Sequence, residues 1–396
     1  MSRLPLRHRN PLPPPSLKSK SKMDLNSEYG LKEEYGRYSL VLESQLHIKH
    51  IIEELDELQL EARSLPDWTR NLDTIETTCL YSHPSNELFN STILESLAQL
   101  LEKKYLSVKH VDLYEYRELH CDLYPNPRLW SIPGSDRLKP GPQELRLFDC
   151  MLDPTYCSLW PWIYMLPTLR AVRILGENTR FLNDSKWSLC PYADATRAWI
   201  TTIELRIKRV DMIRQAVTFT HYFANLQHLE LDFSCTVGTE EENALTENIQ
   251  AFQPTYLRQL KSLRLKLSQC CCCSHRRRFC RHPLRWKWVP RLISRFAISA
   301  ENPRPILKKI SFDVLYNPRY DSFETSEIWQ EIARSLRRVI PQGPGSTPPG
   351  VREIYFVQDC DAETQFLAQM SETIKTWLWA THRIPRQLVY IHGRVE

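Results

Sequence analysis

The sequence predicts an α/β fold built as an irregular open solenoid, with parallel strands on its concave face and helices on its convex face. Three observations carry this reading. Phe223–Phe233 (FANLQHLELDF) spaces Leu226, Leu229 and Leu231 as L-x-x-L-x-L, and the phrase returns as Leu257–Leu267 (LRQLKSLRLKL). A strand alternates its side chains, so Leu229 and Leu231 take one face while His228, Glu230 and Asp232 take the other. Between such phrases, apolar residues recur at helical spacing, and strands alternating with helices imply parallel pairing through helical crossovers.

Taken in order, residues 1–35 read as a disordered tail. Met1–Lys22 holds Pro11 and Pro13–Pro15 with arginines and lysines and no acidic residue. Such a segment buries too little apolar surface to offset its ordering entropy. Residues 36–70 read as an N-terminal helical cap. A single helix is expected over Ser39–Leu65, where Ile48, Ile51, Ile52, Leu55, Leu58 and Ala62 repeat at helical spacing and Pro66 ends the run. A repeat array needs a terminal element to cover its first exposed face.

Residues 71–396 are then expected to form the array, with long loop insertions. The strand phrases centre on Ile75–Leu80, Val108–Tyr114, Glu144–Phe148, Ala171–Leu175, Thr202–Ile207, His228–Phe233, Ser262–Leu267, Lys309–Val314, Glu353–Val357 and Leu388–Ile391. Helical patterns occupy Glu87–Tyr105, Asp211–Ala224, Glu240–Phe252, Ser326–Ile340 and Glu363–Thr381. Strand spacing is about 25 to 47 residues, wider than the ~20–29 of regular leucine-rich repeats. Long loops are expected over Leu119–Pro142, Glu177–Ala198, Gln269–Pro290 and Pro341–Gly350.

Composition narrows the function classes. The chain has only 10 glycines, against the close backbone approaches that phosphate-cradling loops require. The most apolar run, Tyr156–Leu166, is interrupted by Pro161 and falls short of the ~18 residues a membrane helix needs. Met1–Met23 has no apolar core of a secretory signal. The 12 cysteines include Cys270–Cys273 in a row, which is not a spaced disulfide framework. These features predict reduced thiols and a cytoplasmic or nuclear location, with no membrane association. The patterns H-E-x-x-H, G-x-S-x-G, G-x-x-x-x-G-K-[ST] and G-x-G-x-x-G do not occur, so no catalytic residue and no cofactor is expected.

The phrases ANLQHLELDF, RQLKSLRLKL and PTLRAVRIL, separated by helix-bearing insertions, resemble the irregular leucine-rich-repeat arrays of fungal F-box-type proteins, over roughly Asn71–Gly393. The resemblance implies a horseshoe that recruits a protein substrate to a ubiquitin ligase through a Skp adaptor. No F-box pattern is found before Asn71. Ser234 and Ser268 stand near the positions of the asparagine that closes each repeat's turn in that family.

Outward strand residues are the expected protein-partner surface: Asp112, Tyr114, Arg146, Arg173, Glu204, Arg206, Glu230, Asp232, Arg264, Lys266, Ser311, Asp313 and Tyr355. Their mixed signs suit a polar protein partner better than a phosphate backbone. The alternative is a solvated strand face. A second candidate is the window from Asn248 to Ala300, which contains no Asp or Glu. Its basic patch is Arg276, Arg277, Arg278, Arg281, Arg285 and Lys287, interleaved with Phe279, Trp286, Trp288 and Phe296. Such a stretch is able to bind nucleic acid or another polyanion, and equally to be an insertion loop with its tryptophans in the core. Cys270–Cys273, His275, Cys280 and His282 are zinc-ligand types, but contiguous cysteines cannot converge on one ion. No metal is assigned.

Overall fold

A computed structural model describes residues 30–43, 45–61, 65–77, 89–103, 106–114, 141–152, 166, 168–176, 180–181, 199–207, 212–232, 239–250, 252–253, 256–266, 287–297, 306–314, 327–340, 350–358, 378 and 384–393. The fold is α/β. The chain opens with β1 (Leu31–Glu34), β2 (Arg37–Leu42), α1 (Gln45–Leu60), β3 (Leu72–Thr77), α2 (Phe89–Leu101), β4 (His110–Tyr114) and β5 (Glu144–Phe148). Short β6 (Met151–Leu152), β7 (Ala171–Gly176), short β8 (Arg180–Phe181) and β9 (Thr202–Ile207) follow. The remainder is α3 (Ile213–His221), β10 (His228–Asp232), α4 (Thr239–Gln250), β11 (Ser262–Lys266), α5 (Trp288–Arg295), β12 (Lys309–Val314), α6 (Glu327–Val339), β13 (Glu353–Gln358) and β14 (Val389–Gly393).

Twelve strands form one open sheet in the order β1-β2-β3-β4-β5-β7-β9-β10-β11-β12-β13-β14, while β6 and β8 pair separately. Only β1–β2 is antiparallel; every later neighbour in the large sheet is parallel. Chain order is therefore sheet order, as the alternation of strand and helical phrases predicts.

The register explains the leucines. Val111, Leu145, Val172, Ile203, Leu229, Leu263, Ile310 and Ile354 align across β4 to β13, and all are buried. Two residues on, Leu113, Leu147, Ile174, Leu205, Leu231, Leu265, Phe312 and Phe356 form a second buried row. Burying one such side chain fully contributes about 1.5–3 kcal/mol, so a one-residue slip, which turns both rows outward, is strongly disfavoured. Both rows belong to one apolar core with Ile48, Ile51 and Leu55 of α1, Leu94 and Leu97 of α2, Ile213 and Val217 of α3, Leu245 and Ile249 of α4, Trp288 and Leu292 of α5, and Ile332 and Leu336 of α6.

The leucine that leads each phrase closes the bend feeding the strand. The Leu226 N–H donates to the Phe223 carbonyl at 3.0 Å and the Leu260 N–H to the Leu257 carbonyl at 3.1 Å. The bends are then stitched together. The Gln227 carbonyl accepts from Lys261 and Ser262 at 2.8 and 3.0 Å, and the Lys308 carbonyl accepts from Arg352 and Glu353 at 2.8 and 3.1 Å.

Three expectations are corrected. The last residues of the expected 1–35 tail and the start of the helix expected over Ser39–Leu65 form a hairpin, β1–β2, with α1 beginning at Gln45, while residues 1–29 lie outside the described residues. Leu40 and Leu42 alternate into the core, at 0% and 1% exposure, ahead of the helical pattern. Tyr35 and Gly36, both at positive φ, make the tight turn. The 36–70 segment thus opens with a strand before its helix, and β2 pairs with β3 as part of the sheet. The loop over Gln269–Pro290 ends early, because α5 starts at Trp288 with that side chain buried. The helical pattern at Glu363–Thr381, apart from Leu378, lies outside the described residues. Among the described residues, no helix is long and apolar enough to cross a membrane.

Candidate functional site

The face opposite the two apolar rows carries a polar row in the same register. Glu76, Asp112, Arg146, Arg173, Glu204, Glu230, Arg264, Ser311 and Tyr355 align across β3 to β13. One row on, Tyr114, Phe148, Leu175, Arg206, Asp232, Lys266 and Asp313 align. All thirteen expected partner residues fall in these two rows, because side-chain period two requires it.

The rows are not a plain solvated face. Ion pairs run through them from β4 to β12. Arg146 reaches Asp112 at 3.4 Å and Glu144 at 2.6 Å. Arg173 joins Glu144 at 2.9 Å to Glu204 at 2.5 Å. Lys266 bonds Glu204 at 2.6 Å and also pairs with Glu230. Arg264 then links Glu230 at 3.5 Å to Asp313 at 2.5 Å. Arg206 pairs with Asp232 at 2.9 Å beside this chain of contacts. Arg173, Lys266 and Arg264 each join carboxylates of two other strands, so repulsion between adjacent acids such as Glu204 and Glu230 is offset by a shared ammonium.

Burial sorts the expected site residues. Asp112, Glu204, Asp232, Ser311 and Asp313 are buried and do not offer a contact surface; the acids among them hold the cations in place. Tyr114, Arg146, Arg173, Glu230, Arg264, Lys266 and Tyr355 are half-buried, and Arg206 is exposed. The physical reason is crowding: aligned long side chains on adjacent strands cover the shorter carboxylates between them.

The electrostatics follow the burial. Burial pushes the Asp112 carboxyl up to about 6, aided by Glu76 and Glu144 and opposed by Arg146. Its Oδ1 is a buried oxygen with no hydrogen-bond partner among the described residues. Glu204 is also penalised by burial, but the Lys266 and Arg173 charges outweigh this and hold its carboxyl below the ordinary value. Burial raises Glu230, reinforced by the neighbouring Glu204. Each carboxylate meets two cations, and they are driven apart because both of Glu204's contacts are short whereas Arg264 reaches Glu230 only at 3.5 Å.

Stacked aromatics lie toward either end of the ion-pair chain. Tyr114 stacks on Phe148 at 4.4 Å between centroids, and Tyr355 on Tyr390 at 4.8 Å. The Lys309 ammonium sits 4.0 Å from the centre of the Tyr355 ring. Sequence reasoning missed Glu76, Glu144, Lys309 and Tyr390, although Glu144 and Tyr390 stand at positions the same alternation would have named.

The basic window behaves differently in space than along the chain. Arg264 and Lys266 are neutralised by acids of β9, β10 and β12. The Arg295 guanidinium donates to the Phe252 carbonyl at 3.1 Å, and Trp288 and Phe296 are core residues. Lys287 precedes α5 and is exposed. Arg276, Arg277, Arg278, Arg281 and Arg285 lie outside the described residues, as do Cys270–Cys273, His275, Cys280 and His282. Among the described residues, no group of His, Cys, Asp or Glu is placed to hold a metal ion.

One cysteine has a defined role. Cys150 follows Leu145 and Leu147 at the position where leucine-rich repeats carry Asn or Cys. It is fully buried, and its thiol donates to the Leu113 carbonyl of the preceding strand at 3.4 Å. No protein-family model matches the chain, and the curated proteins include no match to it.

Proposed function

We propose that this chain is a protein-interaction scaffold: an irregular leucine-rich-repeat-like solenoid that binds a protein partner on its strand face and catalyses no reaction. The observation that carries this is the ordered polar face, in which buried carboxylates fix half-exposed arginines, lysines and tyrosines in one register. A face whose side chains are already held loses little rotamer entropy when a partner docks. The parallel sequential strands and the position of Cys150 support the repeat reading, with strands concave and helices convex. By resemblance to fungal F-box-type proteins, the scaffold is the substrate-recognition component of a ubiquitin ligase, acting with a Skp adaptor in the cytoplasm or nucleus.

Two measurements test this. The purified full chain is titrated with a purified Skp-type adaptor by calorimetry; no heat of binding removes the ligase role and leaves the scaffold. A photo-crosslinking residue placed at Arg206 or Tyr390 on the strand face, and at Glu331 on the helix side, is then activated in cells. Specific capture at the strand face alone supports the reading. Equal capture from both sides overturns it.

A further inference from the structure

Most cations on the strand face have a carboxylate partner, but a group at the N-terminal ends of the strands departs from this pattern. Lys261, Lys308 and Arg352 immediately precede β11, β12 and β13, and their backbones are hydrogen-bonded in sequence. All three are exposed, and Lys309 begins β12 beside them. Among the described residues Lys261 bonds only the neutral Gln227 amide, at 2.9 Å, and Lys309 lies over the Tyr355 ring. Among the described residues, Lys308 and Arg352 have no carboxylate partner. In the two register rows that hold these cations, from β9 to β13, the other members are Thr201, Thr202, Gln227, His228, Ser262 and Glu353. Glu353 is engaged by the Tyr355 hydroxyl. His228 is held below the usual imidazole range by burial and then by Lys261 and Lys309, so it adds no positive charge near neutral pH.

We propose that Lys261, Lys308, Lys309 and Arg352 form a docking stripe for an acidic extended segment of the protein partner, resting on the scaffold reading above. Strands lie ~4.8 Å apart, so the stripe from Lys261 to Arg352 spans about 10 Å. Acidic side chains two residues apart on an extended segment are ~7 Å apart, within reach of these flexible cations. The stacked Tyr355 and Tyr390, the latter 40% exposed, continue the stripe with an aromatic platform for a neighbouring apolar residue. The dimensions argue against nucleic acid. A stripe of about 10 Å covers roughly three phosphates of a single strand, fewer than the ~4–16 nucleotides that single-strand sites engage.

The test uses the full chain and three probes at low salt: a fluorescein-labelled peptide of alternating Glu and Ser, its Gln-for-Glu counterpart, and a single-stranded oligothymidine. The Glu peptide is expected to bind, to weaken as salt rises, and to lose about tenfold in affinity in the Lys308→Glu/Arg352→Glu variant. Arg334→Glu/Arg338→Glu on α6, an equal change in net charge, is expected to leave binding within about twofold. Circular dichroism verifies folding; should the reversals unfold the chain, Lys308→Gln/Arg352→Gln replaces them, with a smaller loss expected. Absence of peptide binding, equal binding of the Gln peptide, or equal losses in both charge variants overturns the proposal. So does oligothymidine binding that is tighter than the peptide and lost in the same variant, which assigns the stripe to nucleic acid. If the stripe variant keeps its strand-face crosslinks in cells, the acidic-segment assignment fails while the scaffold stands; if crosslinks never form, the scaffold itself fails.

Discussion

Asp112 is a buried carboxyl held neutral more readily than it is charged, and replacing it with asparagine should stabilise the protein in alkaline solution. The residue is 4% exposed, Oδ1 has no hydrogen-bond partner among the described residues, and its carboxyl is raised from 3.8 to about 6. A folded-state value above the unfolded one means the native state binds the extra proton between those two points. Stability from this group is therefore fully present below about 4 and is lost as the pH climbs through 6. At 1.36 kcal/mol per pH unit, ionised Asp112 costs the fold about 3 kcal/mol above pH 7. Asp112→Asn removes the titrating proton, and Arg146 keeps Glu144 at 2.6 Å. Urea unfolding at pH 8 should show a gain of about 3 kcal/mol, shrinking to nothing near pH 4. Comparing variant with parent at each pH is essential, because His221 acts in the opposite direction. Burial lowers its imidazole from 6.5 to about 4, so its share of stability is present above 6.5 and disappears as pH falls through 4. In the parent the two groups offset; in the variant the acid-side loss from His221 stands uncovered. A stability change that is negative, or identical at pH 8 and pH 4, would refute the burial argument for Asp112.

Other consequences of the geometry are simpler to read. Glu204→Ala strips one shared carboxylate from Arg173 and Lys266, which retain Glu144 and Glu230. Breaking a buried pair costs up to 3–5 kcal/mol; with those second partners and partial solvent access, a loss of about 2–3 kcal/mol is expected by urea titration. A loss below half a kcal/mol would mean that the network contributes nothing. Gly30→Ala places a Cβ 2.5 Å from the Val41 carbonyl at a φ of +63°. Because the Val41 N–H also donates to the Gly30 carbonyl at 2.9 Å, the hairpin should loosen by more than about 1 kcal/mol. Hydrogen exchange should accelerate over β1 and β2 and remain unchanged in β10 to β12; uniform acceleration would contradict a local effect.

The amino-acid order alone determined the alternation. Leu229 and Leu231, repeated as Leu263 and Leu265, specify strands with one apolar face, and the helical phrases between them specify parallel crossovers. That much is local, because period two and period 3.6 are written in neighbouring residues. The same alternation placed the expected partner residues on the opposite face. Hairpin β1–β2 escaped because LKEE has a single buried apolar residue, Leu31, and Tyr35 stands where Asn, Asp or Gly usually precedes the turn glycine.

Register was beyond the sequence. Only the side-by-side stacking of strands decided that Lys266 lies between Glu204 and Glu230, and that Arg264 reaches Asp313 forty-nine residues later. Charges that stand isolated along the chain become neutral clusters in the sheet, and Arg264 and Lys266 of the acid-free window are neutralised by acids of neighbouring strands. Pairing energies fall off over a few ångströms, whereas residues in adjacent repeats are separated by tens of positions. The chain therefore fixed which face each charge occupies, and the tertiary stacking fixed which charges are left over.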